Sequence, residues 1–365
     1  MEKNTIEKTK NKTLKIVVIL LSIIILLTAG WGVFSVIMYN ANINVRCDDY
    51  EPLMLRVSDF DGLQCAEYSF PSDKGQILSG YLYSRGEDQR GIVVLSHGFG
   101  EGHNSYMDCA NYFAKNGYYV FAYDATGSGK SEGEGAGGTP QGVIDLDHAI
   151  SFVESNDDIP DLPIVLFGHS WGGYSVSNVL TYHPEVKAVI ECSGFDRSSD
   201  MFESGGKSLA GDLICTMTPF IRIYERFKYG EYATNTAMDG FDSTDASIMI
   251  VHSEDDDTIG IEYGLDKYYE KYKDNPRFTF IRFKDKGHNG ILNDPANTYK
   301  EDFNSEFDKW LETLDYDYEA KENKERFSED RADYIMEHID HTEWSNRLDE
   351  ELFSKFISFY DEAIK

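Results

Sequence analysis

"PIVLFGHSWGG", Pro163 to Gly173, is the stretch on which the fold turns. Its first part, Ile164 to Phe167, is a short apolar run with the composition of a buried strand. Gly168-His169-Ser170-Trp171-Gly172 then breaks the run, and a helical pattern follows. A serine between two glycines at such a junction fits a sharp turn that holds its hydroxyl clear of a sheet. The glycines are needed because the flanking backbones approach closely. The helix N-terminus behind the serine favours negative charge developing there. Ser170 is therefore the candidate nucleophile.

Similar runs recur on both sides of this one. They are "AEYSF" (66–70), "QILSGYLYS" (76–84), "GIVVLS" (91–96), "YYVFAY" (118–123), "KAVIEC" (187–192), "SIMIVH" (247–252) and "FTFIRF" (278–283). From Gly91 onward the runs are almost wholly apolar, as parallel strands covered on both faces are. The first two alternate more, like antiparallel edge strands. Helical segments lie between them. In "TPQGVIDLDHAISFVES", Thr139 can cap, Pro140 can start the helix, and Val143, Leu146, Ile150 and Val153 share one face. Phe303, Phe307, Trp310, Leu311 and Leu314 recur in the same way. The alternation predicts an α/β domain over 61–315, with a mostly parallel sheet of about eight strands and helices on both faces. Residues 195–245 hold no clear strand and are too long for a simple crossover, so they read as a small helical cap. Residues 316–365 read as a helical extension whose apolar stripe (Leu348, Leu352, Phe353, Phe356, Phe359 and Tyr360) docks on the core.

The N-terminus departs from the acidic average of the chain, whose net charge is -30. That charge argues against nucleic acid as a partner. Residues 1–15 form a basic tail with Lys3, Lys8, Lys10, Lys12 and Lys15. Ile16 to Met38 follow without a charge, long enough as a helix to cross a bilayer at about 1.5 Å per residue. The flanking lysines favour a cytoplasmic N-terminus and an extracytoplasmic remainder. Cleavage at a weak "TAG", Thr28 to Gly30, and secretion is the alternative. Residues 39–60 read as a juxtamembrane linker. Five cysteines without a C-x-x-C give no metal pattern, and a Cys47–Cys65 bridge and buried thiols remain equally open. No cofactor is expected.

Ser170 needs a base, and the usual chain order for this turn is serine, acid, histidine. His288, in the Gly-rich "KDKGHNG" just after the last strand, is chosen over His338 and His341 in the acidic tail. An oxyanion hole needs two backbone donors. The N–H of Trp171 follows the nucleophile, and the N–H of Phe99 lies in "HGFG", directly after an early strand. His97 in that loop reads as a brace. "ATGSGKS", Ala125 to Ser131, mimics a phosphate-binding loop, but Asp124 stands where that motif requires glycine. The acid falls within "HSEDDDTIG", His252 to Gly260, with four adjacent carboxylates. A calcium loop is disfavoured because Ile259 and Asp266 stand where oxygen ligands and a terminal glutamate belong.

Three blocks together resemble the monoglyceride-lipase, lysophospholipase and serine-aminopeptidase-like group of the α/β-hydrolases. They are "HGFGEGHNSY", with Gly102 as an extra residue before His103, the set Asp124, Gly127, Gly129, Ser131 and Gly133, and Gly168 to Gly173. The resemblance covers about residues 65–315. It implies an α/β-hydrolase fold with a lid over an acyl pocket, and it aligns Asp256 with the triad acid, with Asp255 as second choice. It further implies acyl transfer through Ser170, His288 and Asp256. The expectation is a membrane-anchored serine hydrolase of carboxylic esters. The alternatives are a peptidase acting on small peptides and a non-catalytic surface binding module.

Overall fold

The computed structural model describes residues 2–86 and 89–365, with side chains from Lys12 onward. Met1 and the side chains through Asn11, part of the expected basic tail, lie outside the described residues. The chain begins with one long helix, α1 (Glu2–Ile43). From Lys12 to Ile43 it is long and apolar enough to cross a membrane. Leu26 is 71% exposed and Ile25 66%, apolar surface that suits lipid better than water. The helix runs past Met38, so the first residues of the expected linker are its last turn.

The rest of that linker is fastened down. The Arg46 guanidinium donates to the carbonyls of Gly129, Ser131 and Gly133 at 2.8–3.0 Å. Cys47 pairs with Ser128 in an isolated parallel bridge. The turn that mimicked a phosphate loop thus serves as the seat of the linker. Asp124 beneath it is buried and accepts from both the backbone N–H and Nδ1 of His103. All five cysteines are free thiols.

Among the described residues, eight strands form one sheet: β1 (Gln64–Pro71), β2 (Ile77–Ser84), β3 (Ile92–Ser96), β4 (Tyr119–Tyr123), β5 (Ile164–His169), β6 (Ala188–Cys192), β7 (Ser247–Ser253) and β8 (Phe278–Phe283). Their spatial order is β1-β2-β4-β3-β5-β6-β7-β8. The pairings of β1 with β2 and of β2 with β4 are antiparallel, and the remaining pairings are parallel. Each of the eight apolar runs is a strand.

Successive strand residues point to opposite faces. Val94, Leu166, Val189 and Ile248 meet one helical layer; Val93, Val165, Ile190 and Val251 meet the other. The helices following α1 are α2 (Met107–Lys115), α3 (Gln141–Ser155), α4 (Trp171–Asn178), α5 (Ser198–Ala210), α6 (Thr218–Tyr229), α7 (Ala237–Asp242), α8 (Leu265–Tyr272), α9 (Tyr299–Leu311), α10 (Lys324–His338), α11 (His341–Ser345) and α12 (Glu350–Ala363). Helices α3, α4, α7 and α8 build the first layer; α2, α9 and α12 build the second. The C-terminal stripe is core: Phe353, Phe356 and Tyr360 are fully buried, and the Tyr360 hydroxyl donates to the Leu166 carbonyl at 2.7 Å. Each such side chain contributes about 2 kcal/mol by burial.

Within the expected cap, 195–245, the last helix belongs to the core instead. Gly240 of α7 sits so close to α4 that a Cβ would lie 2.1 Å from the Ser177 carbonyl. Helices α5 and α6 remain as the cover over the strand ends.

Candidate active site

Ser170 follows β5 with φ 57° and ψ −118°, a conformation that costs an L-residue about 1–3 kcal/mol. The surroundings enforce it. Its N–H donates to the Cys192 carbonyl at 2.8 Å. A Cβ on Gly168 would lie 2.2 Å from the Gly172 carbonyl oxygen, and one on Gly172 would lie 2.0 Å from that of Ser96. Both glycines are therefore fixed by backbone that cannot yield.

His288, in the loop after β8, places Nε2 2.9 Å from Ser170 Oγ. Its Nδ1 lies 2.7 Å from Asp256 Oδ2, in the loop after β7. A carboxylate can only accept, so Nδ1 carries the proton and Nε2 is free to accept from the serine. The three residues come from the carboxyl ends of three parallel strands, which is where open α/β sheets build sites.

The four carboxylates of His252–Gly260 take different positions. Asp256 is buried, and its Oδ1 accepts the N–H groups of Thr258 (3.0 Å) and Ile259 (2.8 Å). His252 Nε2 lies 3.2 Å from its Oδ2. Burial alone would raise this carboxyl, but the hydrogen bonds from His252 and His288 outweigh it and hold the group well below the usual range. Asp255, the second choice for the acid, is exposed but hydrogen-bonded. Its Oδ1 accepts from Ser253 Oγ at 2.6 Å and from the Gly287 N–H at 2.9 Å, pinning the residue before His288. Glu254 and Asp257 are exposed. No periodicity marks these differences in the sequence.

The loop after β3 carries Phe99 to the same place. Its ring meets that of Trp171 edge-on at 5.8 Å. His97 braces this loop: Nδ1 donates to the Gly98 carbonyl at 2.8 Å, and Nε2 accepts the Ala125 N–H at 2.9 Å. Burial lowers its pKa and keeps it neutral. His169, within the Gly168 to Gly173 elbow, has a role that the motif does not state. Its Nε2 donates to the His288 carbonyl at 3.1 Å, and its Nδ1 accepts from the Tyr106 hydroxyl at 2.9 Å. That hydroxyl in turn accepts the Gly98 N–H at 3.1 Å. One chain of hydrogen bonds thus ties the Phe99 loop to the His288 loop. Burial, followed by repulsion from His288, pushes His169 down to about 3, so it stays neutral.

A cavity of about 290 Å³ opens on Ser170 and His288. Ile43 of α1, Phe99, Met201 and Gly205 of α5, and Ile259 line it, with the Glu101 carboxylate at one side. Among the described residues, one set offers metal-type ligands, Glu154, His183 and Glu185, and none of the three belongs to this site.

Parts of the chain are similar to known proteins. A family model described as serine aminopeptidase, S33 matches residues 87–226. The monoacylglycerol lipase of Mycolicibacterium smegmatis is 32% identical over 137 residues, covering 35% of this chain and 46% of that protein. The monoglyceride lipase of Saccharomyces cerevisiae is 29% identical over 144 residues, covering 39% of this chain and 42% of that protein. The matched stretch spans less than half the length of either relative. Among solved structures, an esterase from Pyrococcus furiosus superposes with a TM-score of 0.53 at 18% identity, covering 74% of this chain and 97% of that one. The sheet order, the elbow and the superposition are those of an α/β-hydrolase fold, and over the matched stretches the chain is similar to the serine aminopeptidase S33 family and to monoglyceride lipases.

Proposed function

We propose that the protein is a membrane-anchored serine hydrolase that cleaves carboxylic esters through an acyl-enzyme on Ser170. The observation that carries this reading is the 2.9 Å contact between Ser170 Oγ and His288 Nε2 at a strained elbow. His288 takes the serine proton as Oγ attacks the ester carbonyl, and the N–H groups of Trp171 and Phe99 receive the oxyanion. His288 then protonates the leaving alcohol. A water, deprotonated by the same nitrogen, releases the acid. Asp256 keeps the imidazole in its productive tautomer and stabilises its protonated form. Loss of one oxyanion donor in such a site costs on the order of 100- to 1000-fold in rate.

The apolar lining of Ile43, Phe99, Met201 and Ile259 suits the acyl chain of an amphiphilic ester. The lipase names of the two curated relatives agree with that chemistry. The exposed apolar stretch of α1 supports anchoring, and the lysines before it favour a cytoplasmic N-terminus with the hydrolase domain outside. A second reading, a peptidase acting on small peptides, is favoured by the description of the matching family model.

A fluorophosphonate probe tests the nucleophile. Labelling of the wild type that is absent in Ser170→Ala is expected, and folded wild-type protein that takes no label sinks the enzymatic reading. Nitrophenyl esters beside aminoacyl-nitroanilides then separate the two substrate classes, and a preference for the anilides would overturn the esterase reading.

A further inference from the structure

The last turns of α1 behave unlike the span before them. Ser35, Tyr39 and Ile43, four residues apart, are 0%, 0% and 6% exposed. Tyr39 and Ile43 pack in one cluster with Phe202 of α5, Ile214 and Met217 between the two cap helices, and Ile221 of α6. On the opposite face of the same turns, Val33 is 62% and Ile37 59% exposed. Gly32 permits the approach, because a Cβ there would lie 2.8 Å from the Phe220 ring.

Polar side chains fix the register. Trp31 Nε1 donates to Thr216 Oγ1 at 3.1 Å, and the Tyr224 hydroxyl donates to Asn40 Oδ1 at 3.0 Å. The buried Tyr39 hydroxyl donates to Glu225 Oε1 at 2.5 Å and accepts the Thr139 N–H at 2.9 Å. A helix that served only as a tether in lipid would have no use for such a set of matched partners. The Thr139 carbonyl also accepts from Trp171 Nε1 at 2.7 Å, so this seat adjoins the elbow itself. At its end, Ile43 enters the cavity over Ser170, on the side where Met201 and Gly205 complete the wall.

We infer that the segment Trp31–Ile43 is a built-in wall of the substrate pocket, and that Ile43 limits the length of acyl chain the pocket accepts. The inference rests on the ester-hydrolase reading and adds to it a specificity determinant outside the hydrolase domain. It assigns the anchor two parts. The stretch before Trp31 stands clear of the cap, and the stretch after it docks on the cap and brings Ile43 to the cavity.

The test uses the full chain in detergent micelles, with nitrophenyl acetate and nitrophenyl decanoate as substrates. The quantity read is the ratio of kcat/KM for decanoate to that for acetate. Ile43→Ala should raise this ratio about tenfold and Ile43→Phe should lower it about tenfold, the scale on which apolar pockets discriminate chain length. Ile43→Val, which removes a single methylene and so spares the packing, should raise it about threefold. Ile37→Ala, on the exposed face of the same helix, should leave it at the wild-type value. A ratio unmoved in the Ile43 variants, or moved equally by Ile37→Ala, overturns the inference while leaving ester hydrolysis intact. Wild-type protein that cleaves neither ester overturns the enzymatic reading, and this inference with it.

Discussion

At the turn around Ser170, position is enforced by backbone packed on backbone: Gly168 against the Gly172 carbonyl, and Gly172 against that of Ser96. At the loop around Asp256, position is enforced by hydrogen bonds to a carboxylate, two from its own backbone and one from His288, with His252 Nε2 3.2 Å away. Both loops leave the carboxyl end of a parallel strand, and both present a side chain to the same imidazole. The first is rigid because nothing else fits. The second is rigid because a charge is satisfied. Steric exclusion leaves a signature in the residue types themselves, whereas charge satisfaction depends on which partners the fold delivers.

Alanine in place of glycine is the harshest way to break the comparison. Gly172→Ala puts a methyl 2.0 Å from the Ser96 carbonyl, so the elbow has no room to form and the chain should yield no folded, probe-reactive protein. The matching substitution in the acid loop, Gly260→Ala, meets only the Glu262 carboxylate, the far end of an exposed side chain. It should fold and label normally, as read by circular dichroism and fluorophosphonate reactivity. Equal tolerance at the two positions would mean that the elbow is not held by sterics.

Asp256→Asn comes next. It keeps the shape of the loop but removes the charge that fixes the His288 tautomer, and a loss of about 10⁴-fold in kcat on a nitrophenyl ester is expected. Asp255→Ala removes the acceptor for the Gly287 N–H, which displaces the His288 loop without touching the imidazole. A smaller loss, about ten- to a hundredfold in kcat, is expected there. If Asp255→Ala proves the more damaging of the two, the acid assignment moves to Asp255.

The same distinction explains what the sequence made legible. The eight strands were readable because each is a short apolar run closed by glycine, proline or charge, and Ser170 because its glycines record a local steric demand. His288 followed from chain order together with its place in a Gly-rich loop just after the last strand. Asp256 could be ranked above Asp255 only by family alignment, since four adjacent carboxylates look alike until backbone donors and a histidine 32 residues away select one. The bridging role of His169 was not legible, because its partners Tyr106 and His288 lie 63 and 119 residues away. The docked end of α1 was hidden for another reason. Its apolar residues satisfy the requirements of a membrane span and of a packed helix equally, and the polar partners of Trp31, Tyr39 and Asn40, which mark the docked face, come from residues 100 to 186 positions away.

The smallest expected effect sharpens the comparison by pH. An elbow held by sterics has no charge to titrate, while the acid loop is held by one. The hydrogen bonds of Asp256 keep its folded pKa well below the unfolded carboxyl value of about 3.9. A group depressed in this way contributes stability that is fully present above the unfolded pKa and is lost as pH falls through the folded one. Through the neutral range Asp256 is ionised in both states, so the difference in Tm between wild type and Asp256→Asn should be constant. Below about pH 4 the unfolded chain takes up a proton that the folded protein refuses, and the difference should shrink by a few degrees. Calorimetric scans of both proteins between pH 7 and pH 3 measure this directly. A difference that widens towards low pH would mean that the loop is not held by the Asp256 charge, and the contrast with the elbow would fall.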